Sequence, residues 1–436
     1  MTKTYKVDPV TRLEGHGNLV LQLSDENKKV ENIEFSVTST RFFEKFCEGR
    51  FAEHIARITC RICGICPIPH HLTPTKAVEA AWGIEVPSAA VKLRRLLINA
   101  KQYSSHLLHF YALAAPDFLY GPFAQPEKRN VVAVLNALPD VGVQALKMMD
   151  FGQNICQTIG GKSVHPVTAV PGGMKRRLTE EERDSYLQQV DDQLQMMTNT
   201  VNLALDVVNK YWDVVANVAV VPMYYVGVAD QGRHDIYWGD LVVCDPDGNR
   251  KVYKKENYQD AIGEHYSPAG YASHTYIKSV GYPDGVYTVG PLAMINCSDH
   301  FGTPLADSAL KEMKSKIGTK VIHHQFAGHW ARIIETVAAI EQIITLLKDP
   351  EICSDKIKNE HVEPKAGRGV GLSEAPRGAL IYDITSDEAG ICKKLNLIVA
   401  TNHNMGGINK VLKASAKQIF EQDALSKIKL PEPILK

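Results

Sequence analysis

The chain has 436 residues, enough for two or three average domains or one large enzyme fold, and its 44% hydrophobic and 22% charged content is ordinary for a globular protein. Lys plus Arg and Asp plus Glu balance at 49 each, so no basic field draws in nucleic acid or an anionic lipid surface. The longest apolar runs, such as residues 214–221, fall short of the roughly 20 residues a bilayer span needs, so no membrane span is expected. The N-terminal residues lack the apolar core of a signal peptide, which points to the cytoplasm, and nine cysteines, most of them scattered, argue against a disulfide framework.

In chain order, residues 4–40 read as β-rich: Asn18–Leu23 and Ile33–Val37 alternate around a polar turn, Ser24–Lys29, and form a hairpin. Just before it stands Arg12-Leu13-Glu14-Gly15-His16, a compact set of ionisable groups. It reads as a salt bridge at the hairpin mouth or as a carboxylate whose pKa burial would raise into the range of a proton carrier.

Residues 41–213 read as helical and contain the cysteine motif Cys60-Arg61-Ile62-Cys63-Gly64-Ile65-Cys66-Pro67-Ile68-Pro69-His70-His71. A CxxC pair beside a proline-rich helix start brings two sulfurs together where thiolate is favoured, which suits a soft transition metal. A redox dithiol, half a zinc site and the start of a ferredoxin-like cluster on Cys60, Cys63 and Cys66 fit the same spacing. Apolar residues from Leu93 to Tyr111 recur at helical steps, residues 129–158 repeat the pattern, and the loop from Gly161 to Gly173, with His165-Pro166, should be irregular. Thr179 to Glu182 is a capping box before a helix of about thirty residues, to near Trp212.

Residues 214–296 shift toward a β-rich insertion with a hairpin at Leu241–Tyr253, and residues 297–436 return to helices, a β hairpin and a terminal helix. Gly367-Arg368-Gly369-Val370-Gly371 follows a charged loop and is discounted as a nucleotide motif. Glu374-Ala375-Pro376-Arg377-Gly378 to Tyr382 and Lys394 to Asn404 read as two strands that hold Arg377 and Thr401 near one end of a hairpin. The pattern as a whole indicates one α+β domain over 1–436, predominantly helical, with long helices as its bundle core and β hairpins at its periphery.

Four of these stretches, Arg12 to His16, Arg61 to His70, His165 to Gly173 and Glu374 to Gly378, resemble in order the motifs of the large subunit of nickel-iron hydrogenases. The likeness runs from about residue 7 to 405 and is nearest to the cytoplasmic F420-non-reducing hydrogenases of methanogenic archaea. It implies the large-subunit fold and a nickel centre bridged to an iron that carries carbon monoxide and cyanide, where H2 is oxidised. Cys63 matches the terminal nickel ligand and Cys66 the bridging one, while Cys60 falls outside the motif. His70 matches the histidine that hydrogen-bonds toward the bridging thiolate. Pro376 and Arg377 match the cover over the iron, with Arg377 binding a cyanide and Thr401 the other. Glu14 matches the proton gate. Glu44 resembles a magnesium ligand, although Phe42 replaces the glycine of that pattern. The implied partners are an iron–sulfur small subunit, a further electron-transfer subunit, and a heterodisulfide-reductase-type complex.

The family closes its site with a second cysteine pair, and these 436 residues contain none after Cys66. The expectation is a split site, its other two ligands on a short separate peptide with a cysteine or selenocysteine pair. A truncated chain and a metal-free relic with a structural or electron-wiring role are the alternatives.

Overall fold

The computed structural model describes residues 1–24, 29–39 and 42–435. It begins with an antiparallel meander of β1 (Thr2–Val7), β2 (Gly17–Ser24) and β3 (Val30–Val37). The β2–β3 pair is the expected hairpin, and its turn at residues 25–28 lies outside the described residues.

Helix α1 (Pro69–Trp82) follows the cysteine motif with proline at its first position, where no intrahelical N–H bond is lost, and ends at Gly83 in the left-handed conformation. Along α2 (Ser88–Leu108) the predicted apolar face, Leu93, Leu96, Leu97, Ala100, Tyr103 and Leu107, is buried, while Leu108 at its end is half-buried. The helix runs on through a π-helical turn at His109–Ala114. The helix expected over 129–158 is interrupted: Pro139 has no N–H to continue the ladder, so a short helix at Val131–Ala137 gives way to α3 (Pro139–Gly160).

The capping box is formed, with Thr179 Oγ1 accepting from the Glu182 N–H at 3.2 Å and Glu182 Oε2 accepting from the Thr179 N–H at 3.1 Å. The helix it starts is not one rod but two, α4 (Glu180–Leu187) and α5 (Val190–Lys210). At the break the Gln189 N–H bonds the Tyr186 carbonyl, and the Ser185 carbonyl accepts from the Gln189 side chain at 2.9 Å instead.

A sheet containing β4 (Tyr224–Asp230), β5 (Asp240–Cys244) and β6 (Arg250–Tyr253) follows, its β5–β6 turn held by Asp245 accepting from the Asp247 and Asn249 N–H groups. Helices return at α6 (Pro304–Ile317) and α7 (Gly328–Lys348). Trp330, Ile333, Ile334, Val337, Ala338 and Ile340 are all buried, so α7 is apolar nearly all round and sits in the centre against α2, α5 and α6.

The C-terminal part differs from expectation in two places. A three-stranded antiparallel sheet, β7 (Gly367–Ala375), β8 (Gly378–Ser386) and β9 (Cys392–Ile398), takes in the glycine run, to which no element is assigned from the sequence. Those glycines bring β7 directly onto α1: a Cβ at Gly367, Gly369 or Gly371 would collide with the backbone carbonyl of Ala81, Ala77 or Thr73. The strand expected to reach Asn404 stops at Ile398, because Asn402 Oδ1 accepts the Val399 N–H at 3.2 Å and α8 (Ala400–Phe420) starts there. Thr401 and Asn404 therefore stand on a helix. Among the described residues, no helix is long and apolar enough to cross a membrane.

Candidate metal centre

The motif cysteines sit in the turn between a short helix, Ile55–Thr59, and α1. The Cys66 N–H points at the Cys63 sulfur at 3.2 Å, and the two sulfurs lie close enough to influence each other's protonation. That influence holds Cys63 below the ordinary thiol range and, with burial, holds Cys66 well above it. The pair thus shares one proton more readily than two, which is how adjacent thiols poised for metal behave. Cys60 turns elsewhere: its thiol donates to the Arg57 carbonyl at 3.3 Å, and His165 Nδ1 lies 3.1 Å from the Cys60 carbonyl. Cys60 thus points away from the Cys63–Cys66 pair in this arrangement.

Behind the pair, His70 is buried on the first turn of α1, with Nδ1 2.7 Å from the hydroxyl of Tyr382 on β8. Burial pushes His70 down to about 4, so it is neutral. Tyr382 is also buried, within electrostatic reach of Cys66 and Cys60, and ties the histidine to the wall behind the thiols.

Facing the pair is the tip of the β7–β8 hairpin. Ala375 pairs with Gly378, so Pro376 and Arg377 form a two-residue turn. Arg377 Nη1 donates to Ser105 Oγ on α2 at 3.1 Å, and both thiols and Glu14 act electrostatically on the guanidinium. The backbone of the tip is fixed by Asn404, whose Nδ2 donates to the Arg377 carbonyl at 3.1 Å while its Oδ1 accepts the Val289 N–H at 2.9 Å. Thr401 lies exposed on the first turn of α8; the direct hold on the tip from this helix is made by Asn404.

Lys101 completes the surroundings, and no motif in the sequence marks it. It sits one turn before Ser105 on α2, is 2% exposed, and its cation is stabilised by Cys156, Cys66 and Cys63 against a burial that lowers its pKa. Two cations beside two soft sulfurs fit a thiolate-held metal with anionic ligands, because each negative charge brought in meets a positive one already there. Nothing in the sequence sets it apart from Lys92, Arg94 and Arg95 on the same helix.

Glu14 is placed by its neighbour: Arg12 Nη2 donates to both carboxylate oxygens of Asp117 at 2.8 Å and Nη1 to the Leu113 carbonyl at 2.8 Å, so the salt-bridge reading holds for Arg12. Glu14 itself is exposed in this chain, yet close enough to act on both thiols and on Arg377. Glu44 stands apart from this group. Its Oε1 accepts the Leu397 N–H at 2.8 Å, and burial first, then Glu264 and Glu48, raise its pKa. Among the described residues, no three or more His, Cys, Asp or Glu side chains converge as a metal site.

A family profile described as nickel-dependent hydrogenase matches residues 41–124 and 227–430, and one described as HoxL-like matches residues 4–40. The chain is 46% identical, over 95% of its length and 99% of the relative's, to a vhu subunit of the F420-non-reducing hydrogenase of Methanocaldococcus jannaschii. The chain belongs to the nickel-dependent hydrogenase family. It is also 33% identical to the NAD-reducing hydrogenase HoxS subunit beta of Cupriavidus necator, over 96% of this chain and 88% of that one. Among solved structures, a chain of the NAD+-reducing [NiFe]-hydrogenase in the H2-reduced state superposes with a TM-score of 0.90 at 30% identity, covering 96% of this chain and 93% of that one. The hydrogenase is therefore an oxidoreductase acting on H2, with the large-subunit fold and a family that implies a nickel-iron centre.

Proposed function

We propose that this chain is the catalytic large subunit of an F420-non-reducing nickel-iron hydrogenase that works in the cytoplasm. The observation that carries the reading is the Cys63–Cys66 pair, with the Cys66 N–H at 3.2 Å from the Cys63 sulfur, faced by Arg377 and Lys101. When bound, a nickel-iron centre with carbon monoxide and cyanide ligands supplies the heterolytic cleavage of H2. Cys63 and Cys66 would hold the nickel, and the Cys63 thiolate would accept the proton. The fixed donors of Arg377, with Pro376 and Thr401 around them, hold the anionic cyanides. His70, held by Tyr382, would support the Cys66 thiolate as a neighbouring hydrogen-bond partner. Glu14 carries the proton outward once a partner covers it. Glu44, which stands apart from this group, would hold a magnesium ion.

These residues supply two thiolates, and the remaining two come from a short peptide with a cysteine or selenocysteine pair. Support for this is that Cys63 and Cys66 lie beside two cations, Lys101 and Arg377, while Cys156, the other cysteine near Lys101, turns its thiol to the Leu97 carbonyl at 3.9 Å. Electrons pass first to an iron–sulfur small subunit, then through an electron-transfer subunit to a heterodisulfide-reductase-type complex. The names of the methanogen relatives support the F420-non-reducing assignment.

The test is Cys66→Ala in the complex purified from its native host, assayed for H2-dependent reduction of a viologen dye, with mass spectrometry of every co-purifying chain. The expected result is loss of dye reduction by at least about a hundredfold with the partner chains retained. Dye reduction at the wild-type rate would contradict the reading.

A further inference from the structure

Near Arg377 stands a further cation that no role above uses. Arg332, on the second turn of α7, is half-buried; its guanidinium makes no hydrogen bond or ion pair among the described residues, and its Nε is closed off from solvent without a partner. Beside it are His329, on the turn before, and His109, which opens the π-helical turn after α2; the two rings are 5.6 Å apart, centroid to centroid. Nδ1 of each ring is buried and unpartnered as well. Three such nitrogens in one place ask for a ligand, because buried polar groups are bonded in nearly every folded chain and a buried charge left alone is costlier still.

The carboxylates around the group are committed elsewhere. Glu335, one turn on along α7, meets His106 on one oxygen at 2.8 Å and His234 on the other at 2.9 Å. Asp117, beside Phe118, binds Arg12 and Arg129. Burial, and then the like charge of Arg377, lowers Arg332 to about 9, so its cation lacks the support that a paired arginine has. Burial first, with Arg332 adding to it, also holds His329 down to about 3 and lowers His109, which leaves both imidazoles neutral. Next to these nitrogens the wall turns apolar. Phe118 meets the His329 ring edge-on at 5.3 Å, and a cavity of about 370 Å³ continues between Phe110, Val208, Tyr211, Phe326 and Trp330.

We propose that Arg332, with His109 and His329, is the docking point for a carboxylate side chain of the short peptide that brings the remaining ligands, and that an apolar residue next to that carboxylate fills the cavity at Phe118 and Tyr211. The chemistry of the site selects this occupant. A guanidinium presents fixed donors that match a carboxylate, and each imidazole adds a donor when its Nδ1 carries the proton. A free anion would answer the charge and leave the aromatic cavity empty; an acidic peptide with a neighbouring apolar side chain answers both. Arg377 acts on Arg332 at one side and is acted on by both thiols at the other, so a peptide anchored here lies alongside the sulfurs whose partners it carries. Arg332 is a positioning residue in this scheme. The docking rests on the split-site reading, since that reading supplies the peptide.

The test uses the complex from the native host and the full chain expressed alone. Phenylglyoxal, which modifies arginine, is applied to both, and the label at Arg332 is read by mass spectrometry: Arg332 should be labelled in the chain alone and protected in the complex. This arm needs no variant, so it decides even where a variant fails to assemble. In the complex, Arg332→Gln should weaken retention of the peptide by at least about thirtyfold, measured as peptide remaining after dilution and gel filtration, with the iron–sulfur small subunit still bound. Arg332→Glu should lose the peptide too, and replacing one acidic residue of the peptide with arginine should restore it. Equal labelling of Arg332 in the two preparations, wild-type retention in Arg332→Gln, or a loss in Arg332→Glu that no charge exchange in the peptide repairs overturns the docking. Protection that survives removal of the peptide places the carboxylate on the small subunit and overturns it as well. A wild-type complex that carries no peptide with a cysteine or selenocysteine pair sinks the split-site reading itself, and the docking with it.

Discussion

Tyr382 and His70 form the wall that keeps the thiol pair in register, and each satisfies a buried polar atom of the other. Replacing Tyr382 with Phe strands His70 Nδ1 and is expected to cost about 1–3 kcal/mol of stability, read from urea denaturation. A variant as stable as the parent would mean that the histidine finds another partner. At this scale the sequence is partly legible. Cys63 and Cys66 stand out because two thiols at CxxC spacing have few structural uses in a chain without disulfides. Lys101, Ser105 and Asn404 do not, because a single polar residue on a helix carries no spacing to mark it; only the packing of α2 and α8 against the β7–β8 tip gives them a role.

Elements bring these residues together, and the decisive contact is β7 lying on α1. Gly367, Gly369 and Gly371 repeat every two residues along the strand, about 6.6 Å, and meet Ala81, Ala77 and Thr73, which repeat every four along the helix, about 6 Å. The two repeats nearly match, so backbone can rest on backbone over three contacts. Gly369→Ala forces a methyl group into the Ala77 carbonyl and should destabilise the chain by about 1–3 kcal/mol or more. It should also lower activity, since β7 ends at Pro376 and Arg377; a thermal melt and a dye-reduction assay on the same preparation check both. Full activity at an unchanged melting temperature would show that the strand can lift without moving its tip. Sequence reading misses this strand because glycines lack β propensity and a charged loop precedes them. It finds the long helices because their apolar periodicity survives burial, and misjudges their breaks, which Pro139 and a side-chain bond at Gln189 decide locally.

Across the whole molecule, net charge is zero and the buried groups set the response to pH. Burial lowers both His70 and His71 to about 4, against an unfolded value of roughly 6.5. Between those values the unfolded chain binds protons that the folded chain refuses, so stability is complete above about pH 6.5 and falls as pH drops toward 4. The slope is about 1.4 kcal/mol per pH unit for each histidine. Urea midpoints of the chain at pH 7 and pH 5 should differ accordingly, and equal midpoints would contradict neutral burial. The central claim, that Cys63 and Cys66 hold half of a nickel-iron site whose other ligands arrive on a partner, is tested most directly by elemental analysis. Nickel and iron are measured per chain in the polypeptide expressed alone and in the complex purified from its native host. The account predicts stoichiometric nickel and iron in the complex together with a cysteine- or selenocysteine-containing peptide, and no nickel in the chain alone. Iron without nickel in both preparations would contradict it.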